Sequence, residues 1–321
     1  MVYIKNIKHI CLRPLDVRKD LLSVAELIEL CFSNQMDPDG REYVRQIRLA
    51  GRDARYVRWI PGSHEHISFP LNGYVWEQDN RIVGNLSLIP FYRQGVWRYL
   101  IANVAVHPDY RRMGIGQALT KKALEHIEEQ GVSAAWLQVR ADNAAAQQLY
   151  RQLGFEERSR RSTWQCSSQN SLPPSPTAIS ITNRTRQDWP QQETWLQENY
   201  PPSVTWNLPF QISDLKPGFW PWARRVLSGK PAHHWAARRS DRLAATLTWE
   251  QSLQYIDYLW LAAPHDDDEA VQALLIQARR RFPFSRQLSL NYPAGVAAPA
   301  FENSGFRLYN TLIWMSVEFK V

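Results

Sequence analysis

The sequence predicts an α/β (α+β) protein made of two successive domains, each a twisted mixed β-sheet flanked by helices. Three observations predict this. Strand-like and helix-like periods alternate through both halves. A stretch rich in Ser and Pro, with no periodicity, separates the halves. The second half then repeats the order of elements in the first. A length of 321 residues also suits two domains. The boundaries read as 1–166, a linker over 167–177, and 178–321.

In the first half, Ile10 to Arg13 reads as a strand and Leu21 to Phe32 has helical spacing. Gly40 to Trp59 is a second helical stretch. Gly73 to Gln78 and Ile82 to Ile89 alternate around Asp79-Asn80, a hairpin signal. Trp97 to Val106 reads as a long strand ending before Pro108. Ile115, Leu119, Ala123 and Ile127 recur every fourth residue, so a helix follows. Ala135 to Val139 is another strand. Ala146, Leu149, Tyr150 and Leu153 then give a helical face closed by Gly154. A last strand precedes the linker.

Composition narrows the function classes. Hydrophobic residues are 44% and charged residues 21%, which is globular rather than disordered composition. No run of 18 apolar residues occurs, so no membrane span is expected. The start, MVYIKNIKHICLRPLD, lacks a signal-peptide pattern. Cys11, Cys31 and Cys166 read as free thiols of a reducing, cytoplasmic environment. The net charge of +7 lies mostly before residue 166, where it is +5, against +2 beyond. Such an excess suits nucleic acid or an anionic cofactor. No RRM, zinc-finger or clear helix-turn-helix signature supports nucleic acid. No metal site is expected either: His64 and His66 have no accompanying ligand set.

The segment NVAVHPDYRRMGIG, Asn103 to Gly116, carries the chemistry. It reads as a strand, a turn and a helix start, and Arg111 to Gly116 fits R-x-x-G-x-G. Glycines let a ligand approach the backbone, free N–H groups at a helix N-terminus attract anions, and the arginines add charge. The pattern suits a pyrophosphate. It is neither a Rossmann fingerprint nor a P-loop. A second segment, Val139 to Phe155, fits N-x-x-A-x-x-L-Y-x-x-x-G-F.

Together the two segments resemble motifs A and B of the GNAT superfamily of acyl-CoA-dependent N-acetyltransferases. The resemblance covers about 100 residues, from the Asp79-Asn80 hairpin to Trp164. It implies acetyl transfer from acetyl-CoA to a primary amine by direct attack. It implies that the backbone of Val104, Ala105 and Val106 pairs with the pantetheine arm and polarises the thioester. Arg111, Arg112, Met113, Gly114, Ile115, Gly116 and Gln117 would hold the pyrophosphate, and Asn143 the pantetheine end. Tyr150 would protonate the departing thiolate. By spacing alone Tyr150 reads as a core tyrosine, which the resemblance reverses, and Asn143 can also serve as a helix cap. Phe91 to His107 contains no carboxylate, so a general base, if needed, is His107, Glu77 or a chain of waters. The alternative function is a non-catalytic CoA-binding or nucleic-acid-associated module.

The second half reads as a degenerate copy. Ser240-Asp241 repeats the hairpin turn, and Pro264 ends a strand as Pro108 does. Aligning these prolines sets Asp267, Asp268, Ala270 and Gln272 against Arg111, Arg112, Gly114 and Gly116. Aligning Gly305-Phe306 with Gly154-Phe155 sets Ala294 against Asn143 and Phe301 against Tyr150. Apolar positions persist and polar site positions are lost. One cofactor per chain is therefore expected.

A final feature is the arginine series Arg41, Arg45, Arg48, Arg52, Arg55 and Arg58, of which five share about 80° of a helix face. It reads as a solvated face, or as an acceptor-side or nucleic-acid-binding stripe that would suit an acidic or phosphorylated acceptor.

Overall fold

A computed structural model describes residues 10–36, 38–52, 72–93, 95–166, 172–208, 211–227, 229, 231–252, 256–282 and 287–319. His64, His66, Arg55, Arg58 and the start of the linker lie outside these residues. The chain forms two compact units. The first takes the described residues up to Val139, then Ala144–Glu156 and those from Met315 onward; the second takes Arg140–Asn143 and Glu157–Trp314. The units therefore do not simply divide at the Ser/Pro stretch.

In the first unit the chain runs through β1 (Ile10–Pro14), α1 (Leu21–Phe32), α2 (Pro38–Arg52), β2 (Asn72–Gln78), β3 (Arg81–Arg93), β4 (Val96–Val106), α3 (Ile115–Glu129), β5 (Ala134–Arg140) and α4 (Ala144–Gln152). Its strands lie in the order β1-β2-β3-β4-β5, and the Phe319 N–H donates to the Ser133 carbonyl at 2.9 Å beside β5. The β2–β3 hairpin closes on Asp79 and Asn80, whose φ values of 50° and 61° are those of a type I′ turn. Leu21, Val24, Ala25 and Ile28 of α1 pack against Val44, Ile47 and Ala50 of α2 and against Val75 and Ala105 of the sheet. The series Ile115, Leu119, Ala123 and Ile127 is buried along α3, as its four-residue spacing requires. Arg13 ties β1 down through Asp20 at 2.6 Å and Glu77 at 2.7 Å.

The second unit comprises most of β6 (Glu156–Cys166), then β7 (Ser180–Asn183), α5 (Trp189–Asn199), α6 (Pro202–Thr205), α7 (Phe219–Leu227), β8 (Ala232–Arg239), β9 (Arg242–Glu250), β10 (Ile256–Ala262), α8 (Asp268–Arg281), β11 (Gln287–Pro293), α9 (Ala298–Asn303) and most of β12 (Arg307–Glu318). The strand order is β12-β6-β11-β10-β9-β8-β7. β6 pairs antiparallel with β11, from Cys166 opposite Leu288 to Arg161 opposite Pro293. The β8–β9 turn, Ser240-Asp241, repeats the left-handed pair at φ 47° and 62°. No helix among the described residues is long and apolar enough to cross a membrane.

Candidate acyl-CoA site

The site begins with a defect in β4. Its register against β3 slips between Asn85 and Ser87, and Asn103 takes a left-handed φ of 51°. A bulge of this kind re-aims a strand end. Side chains hold it in place. The Asn103 amide donates to Tyr43 Oη at 2.8 Å and Ser87 Oγ at 3.2 Å, while Asn85 Nδ2 donates to the Asn103 carbonyl at 3.0 Å. Burial pushes the Tyr43 phenol up to about 12, opposed by the Asn103 hydrogen bond. Parallel pairing of β4 with β5 covers Tyr99–Ile101 opposite Ala135–Leu137. Val104, Ala105 and Val106 lie past that register, at the end of the strand where backbone groups can serve a ligand.

The chain then turns through His107 and a short 3₁₀ segment, Pro108–Tyr110. Arg81 donates to His107 Nε2 at 3.0 Å. On the other side of the ring the Asp109 backbone N–H approaches Nδ1 at 3.3 Å, with the Asp109 carboxylate 3.7 Å away. His107 is thus engaged on both sides of its ring. Glu77 is held by Arg13, with Nε at 2.8 Å. These contacts make both residues poor candidates for a general base.

Arg111 folds back so that Nε donates to the Val106 carbonyl at 3.2 Å, which the Cys31 thiol also approaches at 3.4 Å. Burial raises the Cys31 thiol pKa, partly offset by Arg111. Arg112 sits at a left-handed φ of 66°, and Met113 is 60% exposed. Gly114 is the N-cap of α3 at φ 79°, with no atom within 4 Å of where a side chain would begin. The first intrahelical bond runs from the Ala118 N–H to the Gly114 carbonyl at 3.0 Å. The N–H groups of the turn before Ala118 therefore have no helical acceptor and carry the positive end of the helix dipole. Gln117 is exposed on this turn.

The second motif meets the first at Gly116. A Cβ there would lie 3.6 Å from Leu149 of α4 and 3.8 Å from Val106 of β4. The structure thus gathers the end of β4, the start of α3 and the middle of α4. Tyr150, next to Leu149, is 6% exposed and set edge-on to Phe155 at 5.8 Å. Among the described residues its hydroxyl has no hydrogen-bond partner. Burial pushes its pKa up to about 12, so the phenol is protonated at neutral pH. Asn143 is exposed and directly precedes α4, with its N–H on the Arg140 carbonyl at 3.1 Å. Gln147 is buried on α4, whereas Ala146 and Leu149 are only half-buried, so the expected apolar face is imperfect.

Tyr43, Asn85 and Ser87 were not singled out by the sequence, and Cys31 was read only as a free thiol. Asn103 was quoted only as the first residue of its motif. The available signal was a polar Asn amid β-branched and small residues, a type depleted in strands and tolerant of left-handed backbone.

The second unit lacks the turn. From Pro108 to the start of α3 the chain uses seven residues; from Pro264 to α8 it uses four. This corrects the alignment by prolines: at the helix start, Asp267 rather than Ala270 stands where Gly114 does. Asp267 caps its own helix, accepting from the Ala270 N–H at 3.1 Å, and pairs with Arg239 at 2.9 Å. Glu269 binds the same guanidinium at 2.8 Å. The other alignment holds bond for bond: Phe155 N–H to Tyr150 O and Phe306 N–H to Phe301 O are both 3.0 Å. Gly154 and Gly305 share left-handed φ values of 87° and 79°.

Of the arginine series, Arg41 donates to the Met36 carbonyl at 2.7 Å, Arg45 pairs with Glu42 at 2.8 Å and Arg48 with Glu29 at 2.6 Å. Much of the stripe's charge is thereby spent locally.

The site thus sets a bulged strand end beside an open helix N-terminus flanked by the exposed Arg111 and Arg112, in an α/β fold. Residues 28–155 match the acetyltransferase (GNAT) family. The chain is 53% identical over 55 residues to the ribosomal protein bS18-alanine N-acetyltransferase of Escherichia coli (strain K12), covering 17% of this chain and 37% of that protein. It is 34% identical over 86 residues to the mycothiol acetyltransferase of Streptomyces avermitilis, covering 27% of each. The match therefore spans only 37% and 27% of these relatives' lengths. A GCN5-related N-acetyltransferase structure from Sphaerobacter thermophilus shares the fold over 96% of this chain and 95% of its own, with a TM-score of 0.59 at 14% identity. The similarity to GNAT acetyltransferases thus lies in residues 28–155 of the first half.

Proposed function

We propose that the first half of the chain, 1–166, transfers an acetyl group from acetyl-CoA to a primary amine, and that 178–321 is a degenerate copy without a cofactor site. The observation that carries this reading is the open N-terminal turn of α3 lying next to the end of β4. The α3 N–H groups from Gly114 to Gln117, with Arg111 and Arg112, suit the pyrophosphate. The backbone of Val104, Ala105 and Val106 suits the pantetheine arm, and Asn143 its far end. Bound acetyl-CoA supplies an activated thioester carbonyl. A strand-end N–H stabilises the oxyanion that forms when a neutral amine attacks it. As the C–S bond breaks, Tyr150 gives its proton to the sulfur and regains one from solvent. Neither His107 nor Glu77 is free to take the amine proton, so water is the acceptor this reading favours.

The named relatives act on a ribosomal-protein alanine and on mycothiol, so peptide amines and small-molecule amines are both to be tried. An acidic acceptor would have to use the part of the Arg41–Arg58 stripe not already paired. The test is turnover of acetyl-CoA with a panel of both amine classes. Amine-dependent release of free thiol supports the reading. Cofactor binding without turnover on any amine favours the non-catalytic module.

A further inference from the structure

The β7, β8 and β9 strands of the second unit carry a row of polar side chains that acetyl transfer does not use. The Arg184 N–H donates to the His234 carbonyl at 3.1 Å, one step beyond the Asn183–Trp235 pair, so Arg184 lies opposite His234. His234 lies opposite Thr248, with Thr246 two residues along the same face. Counted from the two hairpin turns, Thr246 and Thr248 occupy the places of Asn85 and Ser87. In the first unit that row meets the uncharged Tyr43 and Asn103. In the second it meets two arginines.

Hydrogen bonding fixes the protons of this row. Arg225 of α7 donates to His234 Nε2 at 2.7 Å, so Nε2 is an acceptor and the ring is neutral. Its Nδ1–H then donates to Thr248 Oγ1 at 2.8 Å, leaving the Thr248 hydroxyl hydrogen to point elsewhere. Burial, with Arg184 and Arg225 nearby, pushes the His234 pKa down to about 3, in agreement. The Arg184 guanidinium lies 5.9 Å from the Trp189 ring centroid. Its Nε and NH1 atoms are buried and have no acceptor among the described residues; Trp189 Nε1 and Thr246 Oγ1 are likewise buried without partners. Asp188, whose field reaches Arg184, is already held by Arg238 at 2.8 and 2.9 Å and by Thr185. Buried cationic donors left without an acceptor are rare and costly; water can satisfy them, and where the donor is a guanidinium an anion satisfies the charge as well.

We propose that this row is a binding site for a small oxyanion, a carboxylate or phosphate group, received by Arg184 with the Thr248 and Thr246 hydroxyls and with Arg225 alongside. The site belongs to the half that lacks the cofactor turn, so it gives that half a ligand of its own.

The test is the unfolding midpoint of the full chain in inorganic phosphate, in acetate and in chloride at matched ionic strength. Phosphate could also settle at the α3 N-terminus, so Arg184→Gln and Thr248→Val are compared with Arg112→Ala. We expect phosphate or acetate, but not chloride, to raise the midpoint of the wild type and of Arg112→Ala. Whichever anion acts at lower concentration identifies the group preferred. Arg184→Gln should weaken the effect about tenfold or more, and Thr248→Val, which keeps the charge, about threefold or more. The proposal is overturned if neither anion exceeds chloride in the wild type. It is equally overturned if Arg184→Gln and Thr248→Val both respond as the wild type does. Acetyl transfer by the first half is read separately and does not enter either outcome.

Discussion

Gly114 and Asp267 occupy the same place, the N-cap of the helix that follows the fourth strand of each half, and they leave that helix end in opposite states. Gly114 caps nothing and stands in open space at φ 79°. Asp267 turns its carboxylate onto its own helix and is locked there by Arg239. One helix end offers donors to a ligand; the other has already used a donor and placed a negative charge where an anion would sit.

Gly114→Glu is therefore expected to abolish acetyl-CoA binding. A carboxylate about 4 Å from a phosphate costs on the order of 1–4 kcal/mol per charge pair, or roughly ten- to a thousandfold in affinity. Gly114→Ala adds no charge and meets no neighbour, so it should pay only the left-handed strain of about 1–2 kcal/mol. Calorimetric affinities of the two folded variants check the order. Equal affinities for wild type and Gly114→Glu would move the pyrophosphate elsewhere.

Tyr150→Phe should lower single-turnover acetyl transfer by roughly ten- to a thousandfold with little change in cofactor affinity. The ring that packs on Phe155 remains, and Phe301 fills the matching place in the second unit. The pH dependence has a definite sign. An acid works while protonated, and burial places the Tyr150 pKa near about 12. The ratio of wild-type to variant rates should thus stay constant from about pH 7 to about pH 10. A ratio that collapses toward one near pH 9 would assign the acid to another group.

Asn103→Ala removes the amide that joins Tyr43 and Ser87 and places a non-glycine Cβ at φ 51° without its usual compensation. A loss of about 2–3 kcal/mol in unfolding free energy is expected. Turnover should fall more than cofactor affinity does, because the bulge aims the strand end. Asn103→Gly should recover part of the strain but not the rate. Wild-type kcat in Asn103→Ala would show that the bulge does not need this side chain.

Asp188→Asn tests the second unit. Burial raises the Asp188 pKa, but hydrogen bonds from Thr185 and Arg238 outweigh it and hold the carboxyl below its ordinary value. A depressed pKa stabilises the fold above the unfolded value of about 4, and the benefit fades as pH falls through the folded value. The variant should lose about 2–4 kcal/mol at pH 7, and the difference should shrink below about pH 4. A difference unchanged down to about pH 2 would contradict this.

The hairpins were legible because Asp79-Asn80 and Ser240-Asp241 are residue types that reach positive φ, and α3 was legible from its four-residue apolar spacing. The glycine-rich turn was legible because its residue types restrict what a backbone can do locally. The Asn103 bulge was hidden, since a register slip is a property of two strands and Asn103 sits in a run that reads as extended. The three-residue shortening before α8 was hidden for a related reason: matching prolines presumes equal loop lengths. The transfer of β6 into the second unit depends on its pairing with β11, which no local pattern encodes. The charge of the arginine stripe was overestimated because Glu29 comes from another helix and the Met36 carbonyl is a backbone group.

The central claim is that one half of the chain binds acetyl-CoA and the other does not. Calorimetric titration of the full chain with acetyl-CoA tests it most directly. The expected result is a single class of sites with one cofactor per chain, lost in Gly114→Glu. Two cofactors per chain, or one that survives Gly114→Glu with its affinity unchanged, would contradict it.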